Sequence, residues 1–148
     1  DDIFHAPLNL NAFFDYEEGM AHAKKVNKPV LIDFTGHACV NCRKMEINVW
    51  SDPEVLKILQ NDVVVISLYV DERTDLPENE QFVSEYSGEK IVTVGEKWTD
   101  FMLSKYKTNA QPLYVLTDLN GNQLGETASY TSVENYLAWL KSGVAKFK

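Results

Sequence analysis

"VLIDFTGHACVNC", residues 30–42, decides how the whole chain is read. Its first six residues follow Pro29 and are apolar or β-branched except for Asp33, the pattern of a strand in the middle of a sheet. From Cys39 to Trp50 no Gly or Pro intervenes. Cys42, Met45, Glu46 and Val49 recur there at i, i+3, i+4 and i+7, which predicts a helix carrying Cys42 and Glu46 on one face. The only two cysteines of the chain, Cys39 and Cys42, thus stand where strand turns into helix. Spacing alone permits a structural clip, half of a metal site or a redox pair.

The neighbouring segments extend this unit in both directions. "SDPEVLKILQN", residues 51–61, restarts a helix with Ser51 or Asp52 as cap and Pro53 in the first turn, where a missing N–H does no harm. "VVVISLYV", residues 63–70, is continuously apolar, as expected of a strand buried on both faces in a parallel sheet. Strand, helix and strand in succession imply a right-handed βαβ crossover. Upstream, "DYEEGMAHAKKVNK" predicts a helix capped by Asp15, with acids first and Lys24 and Lys25 near its end, preceded by a short strand around Leu8–Leu10.

Downstream, the polar and acidic residues 71–97 form an insertion with a small hairpin across Ser87 and Gly88. "WTDFMLSKY", residues 98–106, resumes helical spacing, and "QPLYVLTDLNGNQLGETA", residues 111–128, reads as two strands turning at Asn120-Gly121. A closing helix begins with a capping box, Thr131 with Glu134, and places Val133, Leu137, Leu140 and Val144 on one face. The expected architecture is a single α/β domain over residues 1–148, with a central mixed sheet of four to five strands flanked by helices.

A chain of 148 residues can bury about two thirds of its unfolded surface, so it needs no disulfide to fold. Fourteen basic against 22 acidic residues leave a net charge of −8, with no Lys/Arg stripe, which argues against nucleic acid and anionic lipid as partners. No run of about twenty apolar residues is present, and "DDIFHAPLNL" lacks the basic-then-apolar layout of a signal peptide. The expectation is a monomeric cytosolic protein, or a mature or excised soluble piece of an exported one.

At the start of a helix Cys39 would face unpaired N–H groups and the positive end of the helix dipole, which favour thiolate and make it the nucleophile. Cys42, almost one turn further in, is then the shielded resolving thiol. Thiol–disulfide exchange requires that thiol to lose its proton. Asp33, a carboxylate inside an apolar run, should have its pKa raised by burial and can accept that proton, with Glu46 one turn beyond Cys42 tuning the transfer. The blander readings are an Asp33 solvated at a strand end, a solvent-facing Glu46 and a merely exposed His37. Pro112 reads routinely as a trans proline opening a strand. A cis Gln111–Pro112 bond would instead turn the Gln111 backbone toward a bound peptide, and only the company of the C-x-x-C motif speaks for it. Zinc is disfavoured because His5, His22 and His37 are the only histidines available to complete a four-ligand cage.

Together, "VLIDFTGHACVNC" and "QPLYVLTD" resemble a thioredoxin-like domain. "CVNCRKMEINVWSDPEV" is more specifically similar to the C-terminal soluble domain of DsbD-type thiol:disulfide interchange proteins. The resemblance implies a periplasmic protein-disulfide reductase that takes electrons from a membrane domain of its parent chain and passes them to thioredoxin-like partners, as in cytochrome c biogenesis. It implies Cys39 as nucleophile, Cys42 as resolving cysteine, Asp33 and Glu46 as active-site carboxylates and Pro112 as the family's cis-proline; Gln111 and Pro112 are the expected substrate-binding residues, and no cofactor or metal is expected beyond the two sulfurs. Where the family usually has Trp before the first cysteine, this chain has Ala38. The competing expectation is a redox-inactive binding module that works through its acidic insertion.

Overall fold

The computed structural model describes residues 7–148. A four-stranded sheet forms the centre, in the order β1 (Ala12–Phe13), β3 (Val64–Tyr69), β2 (Val30–Thr35), β6 (Leu113–Thr117). The first three run parallel, and β6 lies antiparallel to β2. Every residue of β2, β3 and β6 is buried, as their largely apolar and β-branched runs lead one to expect, with Asp33 and Ser67 buried among them.

Side-chain alternation along the strands divides the core between the two faces. On one face Ile32, Phe34, Ile66, Leu68 and Val115 meet Met20 and Ala23 of α1 (Tyr16–Val26) and Trp98 and Met102 of α4 (Val94–Tyr106). On the other, Leu31, Val65, Tyr114 and Leu116 meet α2 (Val40–Met45), α3 (Pro53–Asn61) and α5 (Val133–Ala145) through Met45, Val55, Leu59, Tyr136 and Leu140. α2 runs on into a wide π-turn, Glu46–Trp50, which buries Trp50 with its indole N–H donating to Tyr136 Oη at 3.1 Å. Asp33, Ser67 and Tyr114 are in register with one another on the same face as Leu31, Val65 and Leu116, so they point toward α2.

Several boundaries differ from the sequence expectations. Pro7–Asn9 forms a 3-10 turn and the edge strand comes later, at Ala12–Phe13, because Leu8 takes a left-handed φ of 58° that no strand tolerates. Asp52, not Ser51, caps α3, its carboxylate accepting from the N–H groups of Glu54 and Val55. The insertion closes earlier than residue 97: α4 starts at Val94, where a Thr93/Glu96 capping box ends it. Within the insertion the expected hairpin is present, β4 (Phe82–Val83) pairing β5 (Lys90–Ile91). The chain after Asn120-Gly121 makes only isolated bridges to β6, Gln123 with Thr117 and Ala128 with Tyr114, because Gly125 at φ 83° breaks the strand between them. α5 is capped by Ser132 accepting from Asn135 N, one residue beyond the expected Thr131.

Candidate active site

β2 ends at Thr35 and the chain crosses Gly36–Ala38 to reach Cys39, the N-cap of α2. A Cβ on Gly36 would stand 2.8 Å from Gln111 Oε1 and 3.2 Å from Asp71 Oδ2, so any side chain here would have to displace those two side-chain ends. Asp71, two residues after β3, accepts from the N–H groups of His37 at 2.8 Å and Ala38 at 3.1 Å. The cysteine loop is thereby tied to the end of the adjacent parallel strand.

Cys39 and Cys42 are joined in a disulfide with their Cα atoms 5.2 Å apart. Cys42 is buried, at 1% exposure, whereas Cys39 is partly open. The N–H of Cys42 donates to Cys39 Sγ at 3.1 Å. A backbone N–H of the first helical turn pointed at a cysteine sulfur favours thiolate over thiol.

Asp33 is buried, at 3% exposure, and accepts from Ser67 Oγ at 2.9 Å. Loss of water pushes its pKa from 3.8 up to about 7, and the nearby Glu46 carboxylate pushes in the same direction, against the Ser67 hydrogen bond and the Arg43 charge. Glu46 lies on the same helix run as Cys42, but Arg43 holds it: Nε and Nη2 each donate to one carboxylate oxygen at 2.8 Å. Arg43 also donates to Thr35 Oγ1 at 3.1 Å and to the His37 carbonyl at 3.2 Å, bridging helix, strand end and cysteine loop.

The Gln111–Pro112 bond is cis. Pro112 is buried, its carbonyl accepts from Ser129 Oγ at 2.7 Å, and the next residue, Leu113, pairs with Phe34 one step before the end of β2. Gln111, exposed, reaches Gly36 through its side chain. Cys39, Cys42, Asp33, Glu46, Gln111 and Pro112 are thus all found around one end of the β2–β6 pair. Among the described residues no group of three His, Cys, Asp or Glu is arranged to hold a metal.

Residues 16–143 match the family model of a thioredoxin-like domain. The chain belongs to that family. The thioredoxin-like fold extends to DsbH oxidoreductase, at a TM-score of 0.63 and 19% identity over 97% of this chain and 92% of that one. A thioredoxin from Thermus thermophilus gives 0.62 at 22% identity over 90% and 86%. The oxidised C-terminal domain of DsbD from Neisseria meningitidis gives 0.58 at 16% identity over 89% and 98%. These are likenesses of fold. A 60-residue stretch is 33% identical to anterior gradient protein 3 of Mus musculus, spanning 40% of this chain and 36% of that protein. Fold and Cys39–Cys42 disulfide together support a thiol–disulfide oxidoreductase.

Sequence reasoning overlooked four groups that shape this thioredoxin-like site. Ser67, the lone serine in "VVVISLYV", was legible as the partner of an equally lone Asp33 in the neighbouring strand. Arg43 stands at i+3 spacing before Glu46, an ordinary pairing signal. Asp71 and Glu72 head the insertion, and only the parallel β2–β3 register brings them beside His37 and Ala38.

Proposed function

We propose that this thioredoxin-like domain is a DsbD-type protein-disulfide reductase that relays electrons to thioredoxin-like protein partners in the periplasm, drawing them from a membrane domain of its parent chain. The observation that carries the reading is the asymmetric pair: Cys39 open at the helix cap, Cys42 buried on the sheet face where Asp33 is held near neutral pKa. The Cys39 thiolate attacks one sulfur of the partner disulfide, forming a mixed disulfide and releasing the other partner sulfur as thiolate. Cys42 then loses its proton to Asp33 and attacks Cys39 Sγ. The Cys39–Cys42 bond forms, the mixed disulfide breaks, and the partner departs as a dithiol carrying both electrons. The proton on Asp33 passes to solvent or to the departing thiolate. Glu46, paired with Arg43, tunes Asp33 and is not itself the acceptor. The cis Gln111–Pro112 bond turns the Gln111 backbone toward the partner segment beside Cys39. The chemistry calls for no cofactor beyond the two sulfurs.

The test is the reduction potential of the Cys39/Cys42 pair, measured against a glutathione or dithiothreitol buffer, together with insulin reduction by the wild type and by Cys39→Ser. A potential close to about −270 mV, with activity abolished in the variant, supports an electron donor. A value near about −120 mV would overturn the reductase direction. Equal inactivity of both proteins would favour the binding-module reading instead.

A further inference from the structure

Ala38 presents only a methyl group beside the nucleophile, yet a flat ring stands one residue further back. The His37 imidazole stacks on Tyr69 with ring centroids 4.2 Å apart and planes 20° from parallel. Its Nε2 lies 2.7 Å from Glu72 Oε1. The other oxygen of Glu72 accepts from the backbone N–H and hydroxyl of Thr74. Glu72 is itself 9% exposed and its pKa is lowered, first by the Thr74 hydroxyl and then by His37, so it is a fixed anion and not a wandering surface acid. Its position is locked from behind: the Gly95 N–H donates to the Glu72 carbonyl at 2.9 Å, and a Cβ on Gly95 would meet Glu72 N and O at 2.7 Å. Despite these holds, the His37 side chain keeps 40% of its surface open.

A histidine ring held by both a stack and a charged hydrogen bond would be an odd use of restraint if it only faced solvent. A surface side chain gives up rotamer freedom to be held. Two residues before Cys39, a rigid ring with open surface presents apolar contact area to a docking chain without an ordering cost at the moment of binding. We propose that His37 is a partner-contact residue, and that Glu72 and Tyr69 are positioning residues which hold its ring as a docking shoulder for the polypeptide flanking the target disulfide. The shoulder acts on protein disulfides and not on small ones, which reach Cys39 without touching it. This rests on the oxidoreductase reading.

The experiment compares pre-reduced wild type and variants in stopped flow against two probes, insulin and the small disulfide dithiobis-nitrobenzoate. His37→Ala is expected to react about tenfold more slowly with insulin, equivalent to ~1.4 kcal/mol of lost contact. Its rate with the small disulfide should stay within about twofold of wild type. His37→Phe, which restores a flat ring, should recover the insulin rate. Glu72→Ala should follow His37→Ala, while Glu72→Gln, which keeps an acceptor for His37, should behave like wild type. A loss shared equally by both probes would overturn the proposal, because His37 would then act on the Cys39 sulfur itself. No loss with insulin would overturn it too. A wild type that reduces neither probe would instead sink the oxidoreductase reading, so the two failures are distinct.

Discussion

Under the proposed mechanism, Asp33 is the residue at which stability and activity oppose each other. Its folded pKa of about 7 lies above the ordinary 3.8, so the unfolded chain releases this proton first as pH rises. The stability it contributes is therefore complete below about pH 4 and is lost as pH climbs through about 7. Asp33→Asn keeps an acceptor for Ser67 but carries no charge at any pH. Denaturant titration of the oxidised proteins should show the variant more stable by ~2–4 kcal/mol at pH 8 and nearly equal to wild type at pH 4. Kinetically the order reverses. With Asp33 as acceptor of the Cys42 proton, resolution of a mixed disulfide should slow by about 10²-fold in Asp33→Asn and lose its inflection near pH 7. Quenched-flow measurement of mixed-disulfide decay reads this directly, and an unchanged pH profile would remove Asp33 from the proton transfer.

At the scale of the element, the cysteine helix carries its own charge regulator. Glu46 raises the Asp33 pKa and Arg43 lowers it, so single substitutions should move the resolution inflection in opposite directions. Glu46→Gln shifts it below about 7, doubly so because Arg43 is left without its partner, and Arg43→Met shifts it above; each move is about one pH unit or less, the scale of a half-screened charge pair. What the sequence revealed of this helix and what it hid have the same root. Helical periodicity is local, so Cys42, Met45 and Val49 declared their common face unaided. Whether Glu46 spends its charge on Cys42 or on Arg43 depends on side-chain geometry that spacing does not contain. Helix starts show the same limit: Thr131-Ser132 offers two adjacent hydroxyls, and the docking of Tyr136 and Leu140 decides that Ser132 is the cap. Ser132→Ala should accordingly cost ~1 kcal/mol in urea unfolding, the usual value of a lost cap, and Thr131→Ala less.

For the whole molecule, the question is whether the insertion belongs to the folding unit or rides on it. The β4–β5 hairpin forms a sheet of its own, and neither Leu76 nor Ile91, the insertion's buried aliphatic residues, joins either of the two main core clusters. Its base is nonetheless tightly closed: Leu76 N donates to the Val92 carbonyl at 2.8 Å, Val94 N to that of Thr74 at 2.8 Å, and Gly95 N to that of Glu72 at 2.9 Å. The acidic, polar composition of residues 71–97 announced an excursion from the sheet but not this division into a structural base and a separable tip, because the closing contacts join residues about twenty apart. The exposed Phe82, Val83 and Tyr86 lie on the tip. Replacing residues 78–91 by two glycines bridges a gap that the Leu76–Val92 hydrogen bond already shows to be narrow. The shortened protein should fold, lose no more than about 2 kcal/mol, and reduce a small disulfide at the wild-type rate, since Glu72 and Asp71 remain in place. Thermal unfolding and a dithiobis-nitrobenzoate assay check both halves of this expectation. Loss of cooperative folding would mean that the tip nucleates or supports the core after all. Retained folding with loss of small-disulfide reactivity would mean that the tip, and not only its base, holds the loop of Cys39 in working position.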